Sequence, residues 1–172
     1  MALIYGSTFG IRMLNVVEVL RHRETYRQHW HAHRILEMHY VLTGAITYEF
    51  TNGHPGVTIP GGSFLAIPAG IRHRAINNEG APSVRCVTRW RTNQAATETC
   101  PFSAWEIRSF FRDILSNPLG AHHMTPRLAQ TVRDVFHVVE DRVRAPFLRI
   151  TVWSLLAETV LAIRSGEMAA PP

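Results

Sequence analysis

Between residues 35 and 90 the chain is cut into short apolar runs by turn residues at close, regular intervals. ILEMHYVLT (35–43) and AITYEFT (45–51) flank Gly44. TNGHPG (51–56) precedes VTI (57–59), PGG (60–62) precedes SFLAIP (63–68), and PAG follows. RAI (74–76) leads into NNEGAP, and SVRCVTRW (83–90) alternates again. Runs this short, rich in β-branched and aromatic residues, cannot be amphipathic helices of ordinary length. They predict an antiparallel sandwich or small barrel.

The pattern changes near residue 92. TNQAATETCP is polar and aperiodic, as a linker is, and a helical period follows. Ser103 and Glu106 make a capping box ahead of Trp105, Phe110, Phe111, Ile114 and Leu115. Thr125-Pro126 reads as N-cap and first turn of a second helix, with Leu128, Val132, Val135, Phe136, Val139 and Val143 as its stripe. A third helix over about 147–164 is apolar on more than one face. One face can pack on the second helix. Trp153, Leu156 and Val160 are expected at the other, against the barrel or at an interface with a second copy. The expected organisation is a mostly β chain: barrel over 1–92, linker over 93–102, two to three helices over 103–166, and a flexible tail over 167–172.

The histidines narrow the chemistry. One element reads His31-x-His33-x3-Glu37-x6-Gly44; the other reads Gly62-x5-Pro68-x-Gly70-x2-His73-x3-Asn77. On a strand, alternate residues share a face, so His31 and His33 can both aim inward, with Glu37 in phase if the strand is unbroken. His73 arrives just after the Pro68–Gly70 turn. Three imidazoles and a carboxylate converging on one point suit a divalent transition metal (Zn, Fe, Mn, Ni or Cu) with coordination positions left open. A metal-free polar lining of a ligand pocket is the alternative. His39 is in phase with these residues and is a pocket or supporting residue, or faces water; His29 is placed at the rim. Tyr48, Phe50, Phe64 and Trp90 either line a pocket or are core. Arg85 and Arg89 share a face and either clamp an acidic ligand or lie exposed. His54, His122, His123 and His137 are read as solvated.

These two elements, HAHRILEMHYVLTG and GSFLAIPAGIRHRAIN, resemble the paired motifs of the cupin superfamily, an antiparallel jelly-roll β-barrel. The resemblance covers about residues 20–92. It departs where the family pattern opens with glycine, since Thr25 stands there. It implies that His31, His33, Glu37 and His73 occupy the metal-ligand positions. With the linker and helices added, the chain resembles the sensor half of AraC-type transcription regulators. That resemblance implies a small-molecule effector in the barrel, dimerisation through helices, and DNA contact through a separate helix-turn-helix domain, for which no room remains after Gly166. The other expectation is a metal-dependent cupin enzyme, a dioxygenase or isomerase.

Composition removes other classes. All 18 basic residues are arginine, so lysine chemistry is absent, and the net charge of +5 is spread without a basic run that would mark a nucleic-acid surface. There is no G-x-S-x-G and no glycine-rich phosphate loop. Cys86 and Cys100 alone make no disulfide framework. No signal peptide and no run of eighteen apolar residues is read, so a cytoplasmic protein without a membrane partner is expected.

Overall fold

A computed structural model of the chain describes residues 1–51, 53–77, 80–93, 100–141 and 145–166. Ten strands run in chain order: β1 Ala2–Tyr5, β2 Leu14–His22, β3 Tyr26–Arg27, β4 Leu36–Thr43, β5 Ala45–Phe50, β6 Val57–Pro60, β7 Ser63–Ile67, β8 His73–Asn77, β9 Ser83–Trp90 and β10 His122–His123. Three helices follow the barrel strands: α1 Ala104–Ile114, α2 Pro126–Glu140 and α3 Ala145–Ser165. The strands form two antiparallel sheets, β1-β2-β9-β4-β7-β10 and β3-β8-β5-β6. The mostly β fold with cupin-like sheets and C-terminal helices is as expected. Strands β1 and β2, for which no expectation was formed, complete the larger sheet.

The larger sheet is covered on both faces, and its alternation sorts the side chains. On β4, Leu36, Met38 and Tyr40 face outward, with Cys86 and Trp90 of β9 and Phe64 and Ala66 of β7. All of them join one core with Ile107, Phe111, Leu128, Val135, Leu155 and Leu156 from the helices. Val41, Leu65 and Ile67 face inward, onto Ile46, Tyr48, Phe50, Ile59 and Ala75 of the smaller sheet. The helical segment therefore shares its core with the barrel. Residues 94–99 of the expected linker, Val143 and the tail 167–172 lie outside the described residues.

The helix starts follow the sequence signals. The Ser103 hydroxyl accepts from the Glu106 amide at 3.2 Å, and the Glu106 carboxylate accepts from the Ser103 amide at 2.7 Å. Thr125 caps α2 by accepting from the Leu128 amide, with Pro126 at the first helical position. Gly44 turns β4 into β5 with φ +75°, and a Cβ there would meet the Pro82 carbonyl oxygen at 2.4 Å, so both backbone shape and space call for glycine.

Two expectations are corrected here. Trp153, Leu156 and Val160 are buried inside the chain, on the face that α3 turns to the sheet and its neighbouring helices; Phe147, Ile150 and Leu161 are the large apolar residues that α3 leaves exposed. Trp105 of the α1 stripe is likewise exposed. Pro146–Ser165 has a mean hydropathy of 1.5, enough by length and composition to cross a membrane. Two-sided packing accounts for it, since half of that stretch is buried within the protein.

Candidate metal centre

The site gathers where the segment before β4 meets the start of β8. His31 and His33 precede β4 and are not strand residues, so simple alternation is not what aims them. A single bridge does it: the His31 amide donates to the His73 carbonyl at 3.1 Å, and the His73 amide donates to the His31 carbonyl at 2.9 Å. The Gly70 amide donates to the His33 carbonyl at 2.8 Å and ties the Pro68–Gly70 turn to the same segment. Glu37 enters from β4, buried and facing inward. One nitrogen from each of His31, His33 and His73, with one Glu37 oxygen, all lie within 4.8 Å of one another.

Each imidazole presents a defined nitrogen. His31 Nδ1 lies 2.8 Å from the His29 carbonyl, and His73 Nδ1 lies 2.9 Å from the Ile71 carbonyl. A carbonyl only accepts, so both Nδ1 atoms carry a proton, and Nε2 is the nitrogen each ring has left for the site. His73 Nε2 stands 3.0 Å and His33 Nε2 3.3 Å from the same Glu37 Oε2. His33 Nε2 is buried with no hydrogen-bond partner. A carboxylate oxygen held among imidazole nitrogens at these distances calls for a shared cation, either a proton on an imidazole or a metal ion. The donor set thus fits a divalent metal.

The electrostatics agree. Burial alone would raise the Glu37 carboxyl, but the imidazoles of His39, His33 and His73 outweigh it and hold the group well below the usual carboxylate range. Burial lowers His31, and pushes His39 down to about 4, so both rings are neutral near pH 7, the state in which imidazole ligates. Arg89 grips the other carboxylate oxygen, with Nε and the neighbouring terminal nitrogen each 2.7 Å from Glu37 Oε1, and its second arm reaches Glu18 at 3.4 Å. That leaves Oε2 for a metal.

Beneath this layer, His39 Nε2 lies 3.5 Å from Glu37 Oε2, and its Nδ1 is 2.7 Å from the Tyr48 hydroxyl. Arg85 donates to that hydroxyl at 2.7 Å. His39, Tyr48, Arg85 and Arg89 therefore all face the barrel interior, and the reading of exposed arginines is corrected: Arg85 is 1% exposed. Phe64, expected as a pocket residue, sits on the outer face, stacked with Tyr40 and His122; Trp90 is on that face too. His122 is buried there in β10, not solvated, while His29, His54 and His137 are exposed. Sequence reasoning missed Glu18, because no strand was assigned to residues 14–22.

Since Arg89 orients Glu37 without touching a metal, Arg89→Gln is expected to weaken metal affinity by about 10–100-fold. Competition against a chromophoric chelator measures this, and unchanged affinity removes the orienting role.

Fold and site together define a cupin-like β-barrel with a cluster of three histidines and a glutamate that could hold a metal ion. Residues 16–88 match the family described as Cupin domain. A search of curated proteins returned no match. Among solved structures, the chain is similar to a cupin-2 domain containing protein from Shewanella frigidimarina (19% identity, covering 44% of this chain and 70% of that one, TM-score 0.38). It is similar to the DMSP lyase DddQ from Ruegeria pomeroyi (20% identity, 49% and 41%, TM-score 0.42). It is also similar to oxalate decarboxylase from Bacillus subtilis, a protein with Mn(II) centres (14% identity, 63% and 31%, TM-score 0.45).

Proposed function

We propose that the barrel is a cytoplasmic small-molecule sensor of the AraC type, whose effector binds beside a divalent transition metal held by His31, His33, Glu37 and His73. The observation that carries this reading is the convergence of His33 and His73 Nε2 on one Glu37 oxygen, with a His31 nitrogen within 4.8 Å of all three. When bound, such a metal supplies Lewis acidity and open positions for oxygen donors.

A route for relaying occupancy supports the sensing role. Strand β4 carries Glu37 and His39 inward and Tyr40 outward. The Tyr40 hydroxyl lies 2.9 Å from Thr159 Oγ1 on α3, and Thr159 itself donates to the Leu155 carbonyl. Tyr40 is thus the donor, and one strand joins the site to the helices. A homodimer would use the exposed Phe147, Ile150 and Leu161 of α3. DNA would be reached through a separate helix-turn-helix domain.

A ligand shifts such an equilibrium only by its differential affinity for the two states. Hydrogen exchange of α3 amides before and after zinc loading tests the relay. Greater protection around Leu155–Val160 is expected, and identical exchange with one zinc bound per chain would sink it. A metal-dependent dioxygenase or isomerase is the second reading, favoured by the complete ligand set and the ionised, Arg89-oriented Glu37. Oxygen uptake by iron-loaded protein, or isomerisation of a keto sugar, would replace sensing with catalysis.

A further inference from the structure

The barrel interior holds two arginines with opposite fates. Arg89 bonds Glu37 and reaches Glu18. Arg85, four residues earlier on the same face of β9 and about 13 Å away along the strand at ~3.3 Å per residue, has no carboxylate within ion-pair reach among the described residues. Its terminal nitrogen donates to the Tyr48 hydroxyl at 2.7 Å, and its Nε is buried with no partner. The Tyr26 ring lies 5.4 Å from the guanidinium carbon and stacks on His22 at 4.0 Å. Ser83, two residues back on the same inward face, has a buried hydroxyl without a partner.

A guanidinium stays charged at any physiological pH, and a buried charge is expensive without a counter-ion. An aromatic face offsets only part of that cost. We infer that Arg85, with Tyr48 and Ser83, forms a subsite for a carboxylate anion beyond the metal centre, so that the barrel's ligand is a small organic acid. One unpaired positive charge matches one carboxylate, and the free Nε offers it a fork-shaped face. A phosphate dianion would face only one uncompensated cation. A surface recess of about 340 Å³ is lined by residues 21–26, which include the stacked His22 and Tyr26. The inference rests on the reading of the barrel as a small-molecule site and names the ligand class.

Calorimetric titration of the metal-loaded chain tests it with succinate and benzoate as carboxylates, succinamide as the neutral isostere and inorganic phosphate as an anion of another shape. At least one carboxylate is expected to bind, succinamide not at all, and phosphate at least about tenfold more weakly. Arg85→Gln is expected to lose about 30-fold or more, the range for removing one partner of a buried charge pair. Tyr48→Phe is expected to lose about 3–10-fold through the lost orienting bond. Equal binding of succinamide and succinate overturns the inference, as does phosphate binding as tightly as the carboxylates. It is also overturned if neither carboxylate binds, or if Arg85→Gln binds as wild type. Should Arg85→Gln fail to fold by circular dichroism, Tyr48→Phe decides, and its unchanged affinity is the overturning result. Unaltered α3 exchange with intact carboxylate binding removes the sensing relay and leaves the subsite standing.

Discussion

Replacing His73 with alanine is expected to strip the chain of tightly bound transition metal. His73 joins the two halves of the site: its backbone bridges to His31, its Nδ1 is fixed by the Ile71 carbonyl, and its Nε2 stands 3.0 Å from Glu37 Oε2. Alanine keeps the backbone bridge and removes only the donor. Four-ligand sites gather about 10–16 kcal/mol in all, so losing one ligand should weaken affinity on the order of 100- to 1000-fold. Elemental analysis of protein purified without chelator checks this, with circular dichroism to show the barrel intact. Metal content equal to wild type would remove His73 from the ligand set. Removal of metal from the wild-type chain by chelator should leave the same spectrum as the variant.

Trp90→Ala is expected to cause the largest loss of stability among single substitutions outside the site. Trp90 ends β9, is fully buried, and lies between Phe111 of α1 and Trp153 of α3, with ring centroids 6.1 and 6.2 Å away. Its indole nitrogen donates to Thr88 Oγ1 at 2.8 Å. Truncation leaves a cavity where barrel and helices meet and takes a partner from Thr88. Large aromatic-to-alanine changes in cores cost about 3–5 kcal/mol, which for a chain of this size lowers Tm by about 6–20 °C. Trp105→Ala, on the exposed face of α1, is the control and should stay within about 0.5 kcal/mol. Thermal melts of the two variants that coincide would mean that the helices do not share a core with the barrel.

What was legible in the sequence was local. Gly44, the Pro68–Gly70 turn, the Ser103 box and the Thr125-Pro126 start each carry their structure in a few neighbouring residues, and each element begins or turns where expected. The set of His31, His33, Glu37 and His73 was readable from spacing, although the reason was wrong in part: one bridge to His73, not strand alternation, aims the first two histidines. What was illegible depends on register. That Arg89 of β9 faces Glu37 of β4, and that Tyr48 of β5 lies between His39 and Arg85, follows from which strands pair and in what phase. Strand β2 escaped notice because LNVVEVL is apolar at too many successive positions to show period two. Trp153, Leu156 and Val160 were read as chain packing or an interface because an apolar stripe says that something covers it, without saying what; the shared core of barrel and helices does.

The alternation along β4 and β9 has an evolutionary consequence. Odd-numbered positions (37, 39 and 41; 85, 87 and 89) face the barrel interior, and even-numbered ones (36, 38 and 40; 86, 88 and 90) face the helices. The chemistry of the barrel interior and the docking of the helices are therefore written on interleaved but separate alphabets. Substitutions can accumulate on one without disturbing the other, so the interior can change its chemistry while the helix-packing face is inherited intact. The converse is a fragility: a single-residue insertion within either strand would exchange the two alphabets at once.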